Sequence, residues 1–170
     1  KVSWHGGSAG GSDHILAGMI AKAVGVDPAK LNYVAAKGGG DQVANIVGGH
    51  VTAGIAGQGE FAEHVKGGRM RALAVSAPAK QDGVAALKEQ GIDVVLGNWR
   101  GIFGAPGITT AQRDALINAI KAGTESAAWK DSLAKHGWEQ VFLAGDAYKA
   151  FVEEDTKRIT GILESLGLRK

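Results

Sequence analysis

Apolar positions along the chain follow two spacings. Short continuous runs alternate with stripes that recur every three or four residues. The runs predict strands over residues 2–5, 31–36, 51–56, 70–76 and 92–96. The run at 70–76 is almost wholly apolar, as expected for a strand covered on both faces. Between the runs lie helical stripes. The first carries Ile15, Leu16, Met19, Ile20, Ala23 and Val24, with Ser12 as N-cap, Asp13 in the first turn and Gly25 at the end. A second, short helix is capped by Asp41, buries Val43, Ile46 and Val47, and stops at Gly48-Gly49. Further short helices are predicted over 60–66 and 85–90.

Strands that alternate with helices imply an α/β lobe with a mostly parallel sheet flanked by helices. Beyond Asn98 the character changes. The stretch from Trp99 to Gly107 is extended and punctuated by Gly and Pro. Thr109 then opens a helix through a capping box with Gln112, burying Leu116, Ile117 and Ile120. A second helix, over 126–136, buries Trp129 and Leu133, and residues 138–143 read as a strand. Asp146 caps a long final helix with Tyr148, Phe151, Val152, Ile159, Ile162, Leu163 and Leu166 on one side. The chain thus divides into an α/β lobe, residues 1–98, and a helix-rich return segment, residues 99–170.

Composition narrows the chemistry. Of 170 residues 27 are Gly and none is Cys, which excludes disulfides, thiolate metal sites and a Cys nucleophile. The net charge of +2 arises from 19 basic residues dispersed among 17 acidic ones, not the clustered pattern of a nucleic-acid surface. No apolar run approaches the roughly 20 residues of a membrane span. The five histidines form no close ligand pair and no HExxH, so no metal site is expected. No cofactor is expected either.

The glycines concentrate in three turns, at 6–11, 38–40 and 57–59, each between a strand and a helix. In parallel sheets such turns share the carboxyl edge, where ligands bind. Free N–H groups and the positive end of a helix suit an anion there, and Gly lets it approach the backbone closely. Ser8 and Ser12 add hydroxyls, Lys37 adds a cation, and His14 lies one turn into the first helix as a supporting group. Two other patterns compete. Gly6-x-Ser8-x-Gly10, followed in order by Asp93 and His136, fits a serine-hydrolase elbow. The helix, however, starts several residues beyond Ser8. Gly57-x-Gly59-x-x-Ala62 fits a loose dinucleotide fingerprint, yet its helix is short and no acidic residue closes the next strand.

The run Gly7-Ser8-Ala9-Gly10-Gly11-Ser12-Asp13-His14 resembles the ligand loop of the tripartite tricarboxylate transporter receptors, the Bug-type periplasmic binding proteins. Tyr33-x-x-x-Lys37-Gly38-Gly39-Gly40 resembles a second block, with one residue more than usual between Tyr and Lys. Gly48-Gly49-His50-Val51, where Gln is common at the His position, is a third. Gly67-Gly68-Arg69-Met70-Arg71-Ala72-Leu73-Ala74-Val75-Ser76, Asn98-Trp99-Arg100-Gly101-Ile102 and Ala105-Pro106-Gly107 continue the series across nearly the whole chain. The resemblance implies a periplasmic, non-enzymatic receptor of two α/β lobes. Such a receptor binds a small carboxylate, citrate or a dicarboxylate, and delivers it to membrane permease subunits.

On this reading the expected ligand contacts are Ser8, Ala9, Gly10, Gly11 and Ser12 around one carboxylate, with His14 in support. Lys37, Gly38, Gly39, Gly40 and Asp41 form a second wall, and Gly57 and Gln58 a third. Family members are typically longer, and their first lobe opens with a glycine-rich turn of its own. The resemblance therefore implies a C-terminal fragment. Residues 1–98 would be the second lobe, and 99–170 would pack on the sheet of a first lobe.

Overall fold

The computed structural model describes residues 2–169. Three strands form a parallel sheet in the order β2-β1-β3: β1 is Ser3–Gly6, β2 Asn32–Ala35 and β3 Ala53–Gly54. Ser3 pairs with Asn32 and Gly6 with Ala35, while Trp4 pairs with Ala53 on the other side. The ladder runs one step beyond the carboxyl ends, where Ala36 N–H donates to Gly6 and Ile55 N–H to His5, at 2.7 and 2.8 Å. Helices α1 (Ser12–Ala23), α2 (Gly39–Val47) and α3 (Gln58–Lys66) each follow a strand. The crossovers β1-α1-β2 and β2-α2-β3 run in opposite directions from β1, so right-handed connections place α1 and α2 on opposite faces. Strand order also reverses at β1, which marks its carboxyl end as the place for a ligand.

The predicted helix starts shift slightly. Gly11, not Ser12, is the N-cap of α1, because its carbonyl accepts the first helical bond from Ile15 (3.0 Å). Ser12 lies in the first turn and turns its hydroxyl to Asp13 instead. Gly38 likewise caps α2, and Asp41 lies within the first turn. The buried face of α2 contains Gln42 while Val47 is 46% exposed, a rotation from the predicted face. Gln42 turns inward because the sheet offers it two carbonyl partners.

The runs at 70–76, 92–96 and 138–143 are not strands. Val75 alone bridges Ala86, and Leu96 pairs with Ser76 through a single backbone bond. Leu73 is 60% exposed and Val141 77%, so these apolar runs lack the cover that would make them central strands. Residues 85–87 are tied to Val75 and to the Glu89 carboxylate, which leaves only a 3-10 turn, Lys88–Gln90, of the helix predicted over 85–90.

The chain divides into two compact units, Lys1–Asn98 with Arg158–Lys170, and Trp99–Lys157. The core of the first unit joins Ile15 and Met19 of α1 to Ile159, Ile162, Leu163 and Leu166, with Leu31 and Leu96 against them. These residues lie in the carboxyl-terminal turns of α6 (Gly145–Ser165) and just beyond it. Gly18 is what permits this seam: a Cβ there would stand 3.1–3.2 Å from the end of the Leu166 side chain. The second unit holds α4 (Thr110–Glu125), with the predicted Thr109–Gln112 capping box, α5 (Ala127–His136) and the first part of α6. There Trp99 meets Phe151 edge-on at 5.3 Å and donates its indole N–H to Asp155 at 3.0 Å. Leu133 is buried, as predicted, but Leu116 and Trp129 are half exposed.

Leu166 is a buried member of the cluster that joins α1 to the end of the chain. Leu166→Ala should lower the first unit's unfolding free energy by about 2–5 kcal/mol, measured by chemical denaturation. A loss below about 1 kcal/mol would mean that α1 and α6 do not depend on this seam.

Candidate functional site

All three glycine-rich turns meet at the carboxyl edge of the sheet, and each is fixed in the same way. A carboxylate in the first turn of the following helix reaches back to a backbone N–H of the turn. Asp13 Oδ2 accepts from Gly7 at 2.8 Å, Asp41 Oδ2 from Lys37 at 3.0 Å, and Glu60 Oε1 from Gly57 at 3.1 Å. Such carboxylates sit favourably at the positive end of a helix. Each also fixes the loop whose remaining N–H groups are available to a ligand.

The first turn has further supports. Tyr33 donates its hydroxyl to the Gly7 carbonyl (2.9 Å) and stacks on His14 at 4.1 Å. His14 Nδ1 accepts from Gly10 N–H at 3.1 Å. Burial holds the imidazole below its ordinary pKa of 6.5, which keeps that nitrogen an acceptor. Burial, and then the charge of Asp13, push the Tyr33 hydroxyl well above its usual range, so it stays a donor. Gly6 leaves room for this packing: a Cβ there would collide with the Tyr33 hydroxyl and stand 2.7 Å from Asp13 Cβ. Gly10 adopts φ +78°, a conformation that favours glycine.

The second turn is tied to the sheet beneath it. His5 is 1% exposed, and its Nδ1 lies 2.7 Å from the Val34 carbonyl. Its Nε2 is 3.4 Å from the Asn45 amide and 3.9 Å from Asp41. Asn45 also donates to Asp41 at 2.9 Å. The Asp41 carboxyl is held below its ordinary 3.8, chiefly by the Lys37 N–H and further by Asn45, His5 and the Lys37 charge.

Between these turns lies a cavity of about 320 Å³. Its lining comes from Gly7, Ser8 and Asp13, from the segment Ala36, Lys37, Gly38 and Gly39, and from Gln42 and Glu60. Of the residues singled out in the sequence, Ser8, Lys37, Gly38 and Gly39 therefore face a common space. Ala9, Gly10, Gly11, Ser12 and His14 do not line it; Gly11 N–H closes a turn onto the Ser8 carbonyl. Gly40 and Asp41 lie in the first turn of α2 and do not line the cavity. Gly57 caps α3, and Gln58 turns away to donate to Asp82 at 2.7 Å. Sequence patterning missed Gly7, Asp13, Ala36, Gln42 and Glu60. The signal for Asp13 and Glu60 was their place two or three residues into a helix after a glycine turn. Gln42 gave none, because a polar residue on a short helix reads as solvated.

The residues of the hydrolase pattern are engaged elsewhere. Among the described residues no histidine hydrogen-bonds the Ser8 hydroxyl. Asp93 pairs with Lys88 at 3.1 Å, and His136 stacks on Trp138 at 4.8 Å.

A family model described as "Tripartite tricarboxylate transporter family receptor" matches residues 1–168. The chain belongs to this receptor family. It is 28% identical over 160 residues to a Cupriavidus necator protein, the "UPF0065 protein in gbd 5'region", covering 92% of this chain and 48% of that one. To Protein BugT of Bordetella pertussis it is 26% identical over 165 residues, covering 94% and 49%. The receptor chain thus spans about half the length of the curated relatives it matches. Its fold is that of a TctC solute-binding protein from Polaromonas solved without ligand, with a TM-score of 0.79 and 24% identity over 98% of this chain and 58% of that one. An R. palustris protein solved with adipate shares it at a TM-score of 0.78 and 18% identity, covering 98% and 56%. The expected α/β lobe of a solute-binding protein is therefore the one observed, and the family is one of receptors rather than enzymes. Among the described residues no helix of this receptor chain is long and apolar enough to cross a membrane.

Both depressed pKa values predict acid sensitivity of the turns. A group whose folded pKa is lowered stabilises the fold above its unfolded pKa and loses that contribution as pH falls through the folded value. His14 should act just below pH 6.5, and Asp41 separately below pH 3.8. The melting temperature should fall from pH 7.5 to 5, and His14→Gln, an acceptor that does not titrate, should flatten that decline. An unchanged slope in the variant would remove His14 from this role.

Proposed function

We propose that this chain carries the ligand-binding lobe of a periplasmic receptor for small carboxylates. The observation that carries the reading is the cavity itself, which Ser8, Lys37 and the start of α2 line together. The N–H groups of Gly39 and Gly40 open α2 and have no partner within the helix. Fixed backbone donors can hold a carboxylate without a fully desolvated ion pair. A space of about 320 Å³ suits a ligand of citrate size or smaller. The family description and a fold neighbour solved with adipate support the same class. Citrate and dicarboxylates are the proposed ligands, and the membrane subunits of a tripartite tricarboxylate transporter the proposed partners. The unit containing residues 2–98 is read as the receptor's second lobe, and the segment that begins at Trp99 as the return toward a first lobe.

Calorimetric titration of the receptor with citrate, succinate, glutarate and adipate tests the proposal. At least one should bind, and Ser8→Ala should weaken it about tenfold, the weight of one hydrogen bond to a charged group. The Ser8 hydroxyl has no hydrogen-bond partner among the described residues, so the variant should melt like the wild type. Absence of binding by every carboxylate would refute the reading.

A further inference from the structure

The cavity is not uniformly a donor site. Gln42 lines it, yet is only 3% exposed. Its amide nitrogen donates to the His5 carbonyl at 3.3 Å and, through a short bond, to the Ile55 carbonyl. The His5 carbonyl also accepts from Ile55 N–H in the ladder, and Ile55 follows directly on β3. The two carbonyls settle which way the amide is turned. The reverse orientation would set its oxygen against two carbonyl oxygens, with no proton between them. Both N–H groups are therefore committed to the sheet. The amide oxygen has no hydrogen-bond partner among the described residues.

A second acceptor stands nearby. One oxygen of Glu60 is engaged by Gly57 N–H. The other lies 3.6 Å from where a Gly39 side chain would begin, on the cavity side of the second turn. The lining thus has two poles. Ser8, Lys37 and the start of α2 offer donors and positive charge. Gln42 and Glu60 offer acceptors and negative charge.

We propose that Gln42 is a specificity-determining residue, which makes the site selective for a carboxylate that also carries a hydrogen-bond donor, a hydroxyl or an ammonium, close to the carboxyl group. The carboxylate occupies the donor pole, and the neighbouring O–H or N–H donates to the Gln42 amide oxygen. An unsubstituted dicarboxylate has nothing to give that oxygen and brings a second anion toward Glu60. A nearly buried acceptor left unpaired in the complex is a standing penalty, which a hydroxyl or ammonium removes. This inference rests on the carboxylate-receptor reading and deepens it.

Matched ligands measure it directly. The receptor is titrated by calorimetry with succinate, malate and aspartate; with glutarate, 2-hydroxyglutarate and glutamate; and with tricarballylate and citrate. In at least one set the hydroxy or amino acid should bind about tenfold more tightly than its unsubstituted parent. The hydroxy and amino arms tell which donor the site takes. For whichever set binds, the methyl ether of the hydroxy acid keeps the oxygen and loses the proton, and should fall back to the affinity of the parent. Gln42→Met should erase the preference, so that parent and derivative bind alike, once its melting curve shows that it folds. The wild-type ether comparison decides the matter even if it does not. Parents that match their hydroxy and amino derivatives in every set would overturn this inference while leaving the carboxylate reading intact. Failure of every acid to bind would instead overturn that reading, and this inference with it.

Discussion

The carboxyl edge of the sheet depends on one repeated interaction. A carboxylate at the start of a helix holds a backbone N–H of the glycine-rich turn before it. Asp13 does this for Gly7, Asp41 for Lys37 and Glu60 for Gly57. Glycine turns are entropically expensive to order. These bonds fix one backbone N–H at each of three such turns. With them, the turns present N–H groups in a set arrangement before any ligand arrives, and less ordering remains to oppose binding.

The same carboxylates shape what the site can hold. The positive ends of α1, α2 and α3 are partly answered by the protein's own charges, so the cavity is not a simple anion trap. Glycines matter here for close packing as much as for ligand access. Gly6 makes room for Tyr33 and Asp13, and Gly18 admits Leu166 from the far end of the chain. The second packs α6 and the residues after it against α1, the helix whose first turn bears Asp13. The core and the site are therefore coupled through one helix.

Much of this was legible in the sequence. The three strand–glycine–helix transitions at the edge follow from hydrophobic spacing and from Gly placement, and their convergence follows from the parallel topology. What escaped was decided by tertiary partners. The apolar run 70–76 looks like a buried strand, but a strand exists only where a neighbour supplies a ladder, and only Val75 found one. Gln42 looks solvated, yet the carbonyls of His5 and Ile55 draw it into the sheet. Ser12 looks like a helix cap, but the turn closed by Gly11 onto Ser8 starts the helix one residue earlier. The family resemblance carried by the glycine blocks placed the chain in its family, while the selection of cavity-lining residues required the fold.

The central claim is that a small carboxylate sits among these fixed turns. Amide-detected NMR titration of the receptor, with whichever carboxylate binds in calorimetry, tests this most directly. The account predicts that the largest shifts fall on the backbone amides of Gly7, Ser8, Lys37, Gly38 and Gly39 and on the side-chain amide of Gln42. Saturable shifts confined to other parts of the chain, with these amides unmoved, would contradict it.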